Sequence, residues 1–156
     1  MRRILLGMAF AWLTLGCSDD GDDGRGSPTP IASGALTGKV GGETFTAAAA
    51  QVDSFLSDDE SFWVDVSAEA LASCSAVKSG NSLILNVPKK PGTYALSLTL
   101  NATFVVDGGT ETENLIATQG TLRVDEVTSA LVRGGVSMTY DAENSVNGEF
   151  EAVVCD

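Results

Sequence analysis

Tyr94-Ala95-Leu96-Ser97-Leu98-Thr99-Leu100 places an apolar or aromatic residue at every second position. A period of two puts those side chains on one face of an extended chain, whereas a helix would need them three and four residues apart. The stretch reads as a half-buried strand, and the same pattern recurs on both sides of it. Upstream, Phe62, Val64 and Val66 alternate with Trp63, Asp65 and Ser67, and Leu83, Leu85 and Val87 alternate with Ser82, Ile84 and Asn86. Downstream, Val132, Gly134, Val136, Met138 and Tyr140 share one face, as do Val146, Gly148, Phe150, Ala152 and Val154.

Turn formers separate these runs: Lys89-Lys90-Pro91-Gly92, Asp107-Gly108-Gly109, Gln119-Gly120 and Asp141-Ala142-Glu143-Asn144. Such spacing predicts hairpins, each strand having one wet face. Ala47–Gln51 and Ala68–Ser73 are the two stretches that pass for helix, and neither is long enough to organise a domain. The expected fold is all-β, either an antiparallel β-sandwich or a strongly bent, partly closed β-sheet. A length of 156 residues fits one core, and 17 glycines with only 6% aromatic residues agree with a turn-rich β domain.

Ahead of this domain the composition changes twice. Arg2 and Arg3 precede an apolar run from Ile4 to Leu15, in the order of an export signal and too short to span a bilayer as a permanent helix. It is followed by Leu13-Thr14-Leu15-Gly16-Cys17, which resembles the lipobox of bacterial lipoproteins, with Thr14 where that motif usually has Leu. The resemblance implies cleavage before Cys17, acylation of its thiol, and a lipid bilayer as the first partner. Ser18 after the acceptor implies an outer-membrane address in a Gram-negative envelope, against which Asp19 and Asp20 weigh. Residues 18–33, SDDGDDGRGSPTPIAS, carry four Asp, three Gly and two Pro without apolar periodicity. The expected organisation is a signal over 1–16, a lipidated Cys17 with a disordered acidic tether over 17–33, and a β-rich domain over 34–156. Asp19, Asp20, Asp22 and Asp23 lack the spacing of a calcium loop and read as solvated charge.

Within the domain, Ala35-Leu36-Thr37-Gly38-Lys39-Val40-Gly41-Gly42-Glu43-Thr44-Phe45, then Gly92-Thr93-Tyr94, Gly120-Thr121-Leu122 and finally Val146-Asn147-Gly148-Glu149-Phe150-Glu151-Ala152 before Cys155, resemble a group of uncharacterised bacterial lipoproteins. That group opens on a "G-x-V-x-G-x-x-F" strand and closes on a "G-x-F-x-A…C" strand. These motifs are turn glycines and core aromatics, so the resemblance implies a fold and carries no catalytic residue. With Cys17 taken by acylation, it leaves Cys74 and Cys155 as a disulfide pair in an oxidising compartment, with two separated thiols as the alternative.

Chemistry is bounded mainly by exclusion. The chain has no histidine, so Ser-His-Asp and Cys-His catalysis are out, and no phosphate-binding or nucleophile-elbow motif occurs. A formal net charge of -12 disfavours nucleic acid and anionic lipid. Carboxylates remain: Asp53, Asp58, Asp59, Glu60 and Asp65 lie near Phe62 and Trp63, which leaves a glycoside hydrolase or a weak calcium site at Asp58, Asp59 and Glu60 as alternatives. Trp63 either packs under a loop or stacks on a glycan or protein partner. The expectation is no cofactor, no enzyme activity, and a membrane-anchored structural or binding module whose partner in the envelope is a protein or a glycan.

Overall fold

The structure is a computed structural model and describes residues 29–71, 74 and 79–155. The signal segment, Cys17, most of the tether, part of Ala68–Ser73 and Asp156 lie outside the described residues. Eleven strands form a single sheet, and no helix occurs among the described residues. They are β1 (Thr37–Val40), β2 (Glu43–Thr46), β3 (Ala49–Asp53), β4 (Ser61–Ser67), β5 (Ser82–Pro88), β6 (Gly92–Ala95), β7 (Ala102–Asp107), β8 (Thr112–Ala117), β9 (Gly120–Val127), β10 (Leu131–Thr139) and β11 (Ser145–Val154). Of the two architectures expected, the bent sheet is the one observed: it runs β6-β9-β10-β11-β3-β4-β5-β7-β8 and curls into an open half-barrel.

The curl has a visible cause. Gly92↔Val124 and Ala95↔Thr121 continue as Ala102↔Ala117 and Asp107↔Thr112, so β6–β7 and β8–β9 make one long antiparallel hairpin broken at residues 96–101 and 118–119. On one side of the break β9 joins β10, and on the other β7 joins β5, which turns the sheet through a corner. The strand expected over Tyr94–Leu100 therefore stops at Ala95. Leu96 still pairs with Gly120 and is buried, but Ser97 and Leu100 close a turn on each other, and Leu98 is 83% exposed. Its alternation belongs to a bend rather than to a sheet face.

Inward residues fill the curl with aliphatic and aromatic side chains: Val64 and Val66 of β4, Leu83 and Leu85 of β5, Phe104 of β7 and Val136 of β10 are sealed from solvent. The registers Val64↔Leu85 and Val66↔Leu83 place those of β4 and β5 opposite one another, as the alternation requires. Ala47–Gln51 does not turn into helix. β3 starts at Ala49 and pairs antiparallel with β4, because tertiary pairing outweighs the helix preference of four alanines. The opening "G-x-V-x-G-x-x-F" segment is two strands, β1 and β2, folded back on each other at Gly41-Gly42.

Two features depart from the expected antiparallel sheet with one wet face. First, β11 meets β3 in parallel, over only Val153↔Gln51 and Val154↔Val52; the rest of that edge of β11 is taken by β1 and Ala35. This short parallel seam joins the two halves of the sheet. Second, the outer face of β3–β4–β5 is buried over part of its length: Gln51, Asp65, Ser67 and Ser82 are all below a tenth exposed, while Trp63, Ile84 and Asn86 are half-buried. Cys74 explains how the seam is held. Its sulfur is bonded to that of Cys155, one residue beyond β11, with the Cα atoms 5.5 Å apart, and thus ties the β4–β5 connection to the strand across the seam. Cys74 has φ 64, an uncommon conformation for a residue with a Cβ.

The domain also begins earlier than Gly34. Asn147, on the outer face of β11, accepts the Ala32 N–H at 2.7 Å and donates to the Pro30 carbonyl at 3.0 Å, matching the donor and acceptor of an extended backbone with one side-chain amide. The expected tether over 17–33 thus gives way to bound chain at Pro30. Two glycines admit this arm. A Cβ on Gly135 would lie 2.7 Å from the Ile31 Cγ2, and one on Gly148, at φ +148, would lie 2.5 Å from the Ala35 carbonyl oxygen.

Candidate functional site

The connection from β3 to β4, Ser54–Glu60, joins two buried strands and is built from its own polar side chains. Asp53 ends β3 with its Oδ1 accepting the N–H groups of Phe55 (3.0 Å) and Leu56 (3.2 Å), while its carbonyl accepts both the N–H (3.2 Å) and the hydroxyl (2.6 Å) of Ser57. The Ser57 oxygen accepts in turn from the Trp63 N–H at 3.0 Å. A second turn follows: the Asp58 Oδ1 accepts the N–H groups of Glu60 (2.9 Å) and Ser61 (2.8 Å) and the Ser61 hydroxyl (3.2 Å). These are the short-range side-chain to backbone bonds for which Asp and Ser are favoured in turns. Lys89 closes the base of the loop. Its N–H donates to the Glu60 carbonyl, its ammonium to the Asp58 carbonyl, and the same ammonium stands 4.5 Å from the Phe62 ring centroid.

This bonding leaves the loop's two large apolar side chains outside. Phe55 is 92% exposed and Leu56 48% exposed, at the tip of a segment whose backbone is tied down at nearly every residue. The acids around them are Asp53, Asp58, Asp59 and Glu60, with no base among residues 53–60. The Asp58 carboxyl is held below its ordinary 3.8, chiefly by the Ser61 and then the Glu60 backbone N–H, which bond more strongly to the charged form.

The residues singled out from sequence are placed as follows. Asp58, Asp59 and Glu60 share the loop, but the Oδ1 of Asp58 is engaged by three donors, and among the described residues no three acidic or sulfur ligands converge for a metal ion. Asp65 stands in the middle of β4 between Gln51 and Ile84, only 2% exposed, away from the loop that holds Asp53 and Asp58, so these carboxylates are not brought to one site. Trp63 is half-buried on the outer face of β4, between Asp53 and Asn86. Cys74 and Cys155 are joined.

Sequence reading missed Phe55 and Leu56. The signal was present as an apolar pair enclosed by Asp-Ser on one side and Ser-Asp on the other, two turn-forming units that force whatever lies between them outward. It also missed a charge ladder on the outer face of β9–β10–β11. Arg123 pairs with Asp125 (2.8 Å) and Glu149 (3.0 Å), and Arg133 with Glu126 (3.0 Å) and Glu151 (2.6 Å). Both guanidinium groups lie above their ordinary range, mainly through the hydrogen bonds that Arg123 donates to Asp125 and Arg133 donates to Glu151. Part of this ladder lines an open depression of about 620 Å³ with Gly34, Gly134 and Phe150. Arg133 there is already shared between Glu126 and Glu151, so the depression presents no free cationic group to a ligand, and its four carboxylates leave it acidic. No family model, curated protein or solved structure matches this chain.

Proposed function

We propose that the chain is a lipid-anchored extracytoplasmic binding module, tethered to the bilayer through acylated Cys17 and engaging its partner with the β3–β4 loop. The observation that carries the binding role is the outward pair Phe55–Leu56 on a loop bonded almost throughout. A large apolar side chain held in water on a rigid support gains when a partner covers it and costs little ordering to bind. The anchor rests on the order Arg2-Arg3, apolar run, Leu13-Thr14-Leu15-Gly16-Cys17. Cysteine usage agrees with it, because Cys74 and Cys155 are bonded to each other and leave Cys17 as the third of three. An oxidised pair also fits an extracytoplasmic compartment. Ser18 after the acceptor points to the outer membrane of a Gram-negative envelope.

Fractionation of cells producing the full chain, with intact mass, tests the anchor. The wild type is expected in the membrane fraction at the mass of a cleaved, acylated chain, and Cys17→Ser as an unacylated precursor. Equal processing and equal membrane partition of both forms would refute it.

A further inference from the structure

We propose that the β3–β4 loop is a plug for a protein partner, inserting Phe55 and Leu56 into an apolar pocket whose rim carries Lys or Arg side chains. This deepens the binding-module reading and rests on it. The apolar part follows from exposure: a phenylalanine that is 92% solvent-exposed brings its full contact area to an interface. The loop's own bonds through Asp53, Ser57 and Asp58 hold the tip before binding, so its backbone need not be ordered by the partner.

The charge decides what the pocket's rim must be. Four carboxylates lie within residues 53–60, and the neighbouring Lys89 ammonium is occupied by the Asp58 carbonyl and the Phe62 ring. A bilayer that took up Phe55 and Leu56 would draw the exposed Asp59 and Glu60 out of water with them, and an anionic bilayer would repel them as well. A second copy of this tip would set like charges face to face. A protein pocket with a basic rim meets both the apolar centre and the acidic margin.

The direction of the chain agrees. The arm that leads back towards Cys17 lies against Asn147 near the start of β11, whereas the loop follows β3, which runs parallel to β11 at its far end, beside Val154. Seven strand residues separate the two levels, about 23 Å at the usual rise. The tip therefore projects beyond the end of β11 opposite to the arm.

The test uses the full-length chain in the cells that make it, with the photocrosslinker p-benzoylphenylalanine at position 55 and the adduct mapped by peptide mass spectrometry. The mapped partner is then purified and titrated with the wild type, Phe55→Ser and the double variant Asp59→Lys/Glu60→Lys. The expected results are an adduct inside an apolar pocket flanked by Lys or Arg, and affinity lost roughly tenfold or more in Phe55→Ser. The charge reversal is expected to slow association and flatten its salt dependence, with the thermal midpoint of each variant unchanged. An adduct to lipid or to a second copy, no adduct, a pocket without basic residues, or Phe55→Ser binding within twofold of wild type would each overturn the proposal. The mass of Cys17 from the same cells separates the two readings, since a protein adduct on a non-acylated chain overturns only the anchor.

Discussion

Replacing both Cys74 and Cys155 by Ser removes the link across the parallel seam, and its cost follows from the structure. The bond joins residues with a sequence separation of 81. Freeing a ring of that length in the unfolded chain costs about 4.5 kcal/mol in the chain-entropy model. Against this stands the left-handed backbone of Cys74, at φ 64, which holds roughly 1 kcal/mol of strain that the unbonded residue is free to release. The expected net loss is about 3.5 kcal/mol, read as a lower urea midpoint, and a larger urea slope because the unbridged denatured chain exposes more surface. Hydrogen exchange locates the loss. The amides of Val153 and of Gln51 opposite it should gain more exchange than Val64 and Leu85, which sit in the long β4–β5 ladder. A loss below about 1 kcal/mol, or equal acceleration at the seam and in β4–β5, would refute the view that the bond supports the seam.

Gly148→Ala places a Cβ on a backbone at φ +148 and within 2.5 Å of the Ala35 carbonyl oxygen, and is expected to cost on the order of 3 kcal/mol by chemical denaturation. Asn147→Ala removes both bonds to the arm; the Ala32 amide should exchange faster and stability fall by about 1–2 kcal/mol. Asp58→Asn tests the loop's pH dependence. The depressed Asp58 carboxyl stabilises the fold above the ordinary value of 3.8, and that contribution disappears as pH falls through the lower folded value. The stability gap between wild type and variant should therefore close on acidification in this range, as read by urea midpoints at successive pH values.

How much could be read from the sequence depended on whether a side chain's neighbours lie nearby in the chain. β4, β5, β10 and β11 were legible because each alternates cleanly over seven or more residues between turn formers, so burial on one face writes itself into the sequence. Tyr94–Leu100 carried the same pattern but spans the corner, where the hydrogen bonds of Ser97 and Leu100 end the strand. Nothing local marks a corner of that kind. β3 was hidden by its alanines, and its partner β11 lies a hundred residues away in the chain. The burial of Asp65 and Ser67 on the outer face of β4 was equally illegible, since both have the polarity of a wet face. In the candidate site, the acids of residues 53–60 were visible as charge, but their use as backbone acceptors depends on turn geometry. That geometry also puts Phe55 outside, where a hydrophobic residue is least expected from pattern alone.

The ring closed by Cys74 and Cys155 has a consequence for how the protein withstands proteases. Every strand from β5 to β11 lies inside it, and β1 to β4 lie outside. A single cut anywhere between those two cysteines leaves one covalent molecule, with the fragments held in register by the sheet. Excision of the β3–β4 loop needs a cut on each side of it, because it lies outside the ring, and a nick in the exposed turns at Gly108–Gly109 or Asp141–Glu143 releases no fragment. The bond thus sets which proteolytic wounds the protein survives.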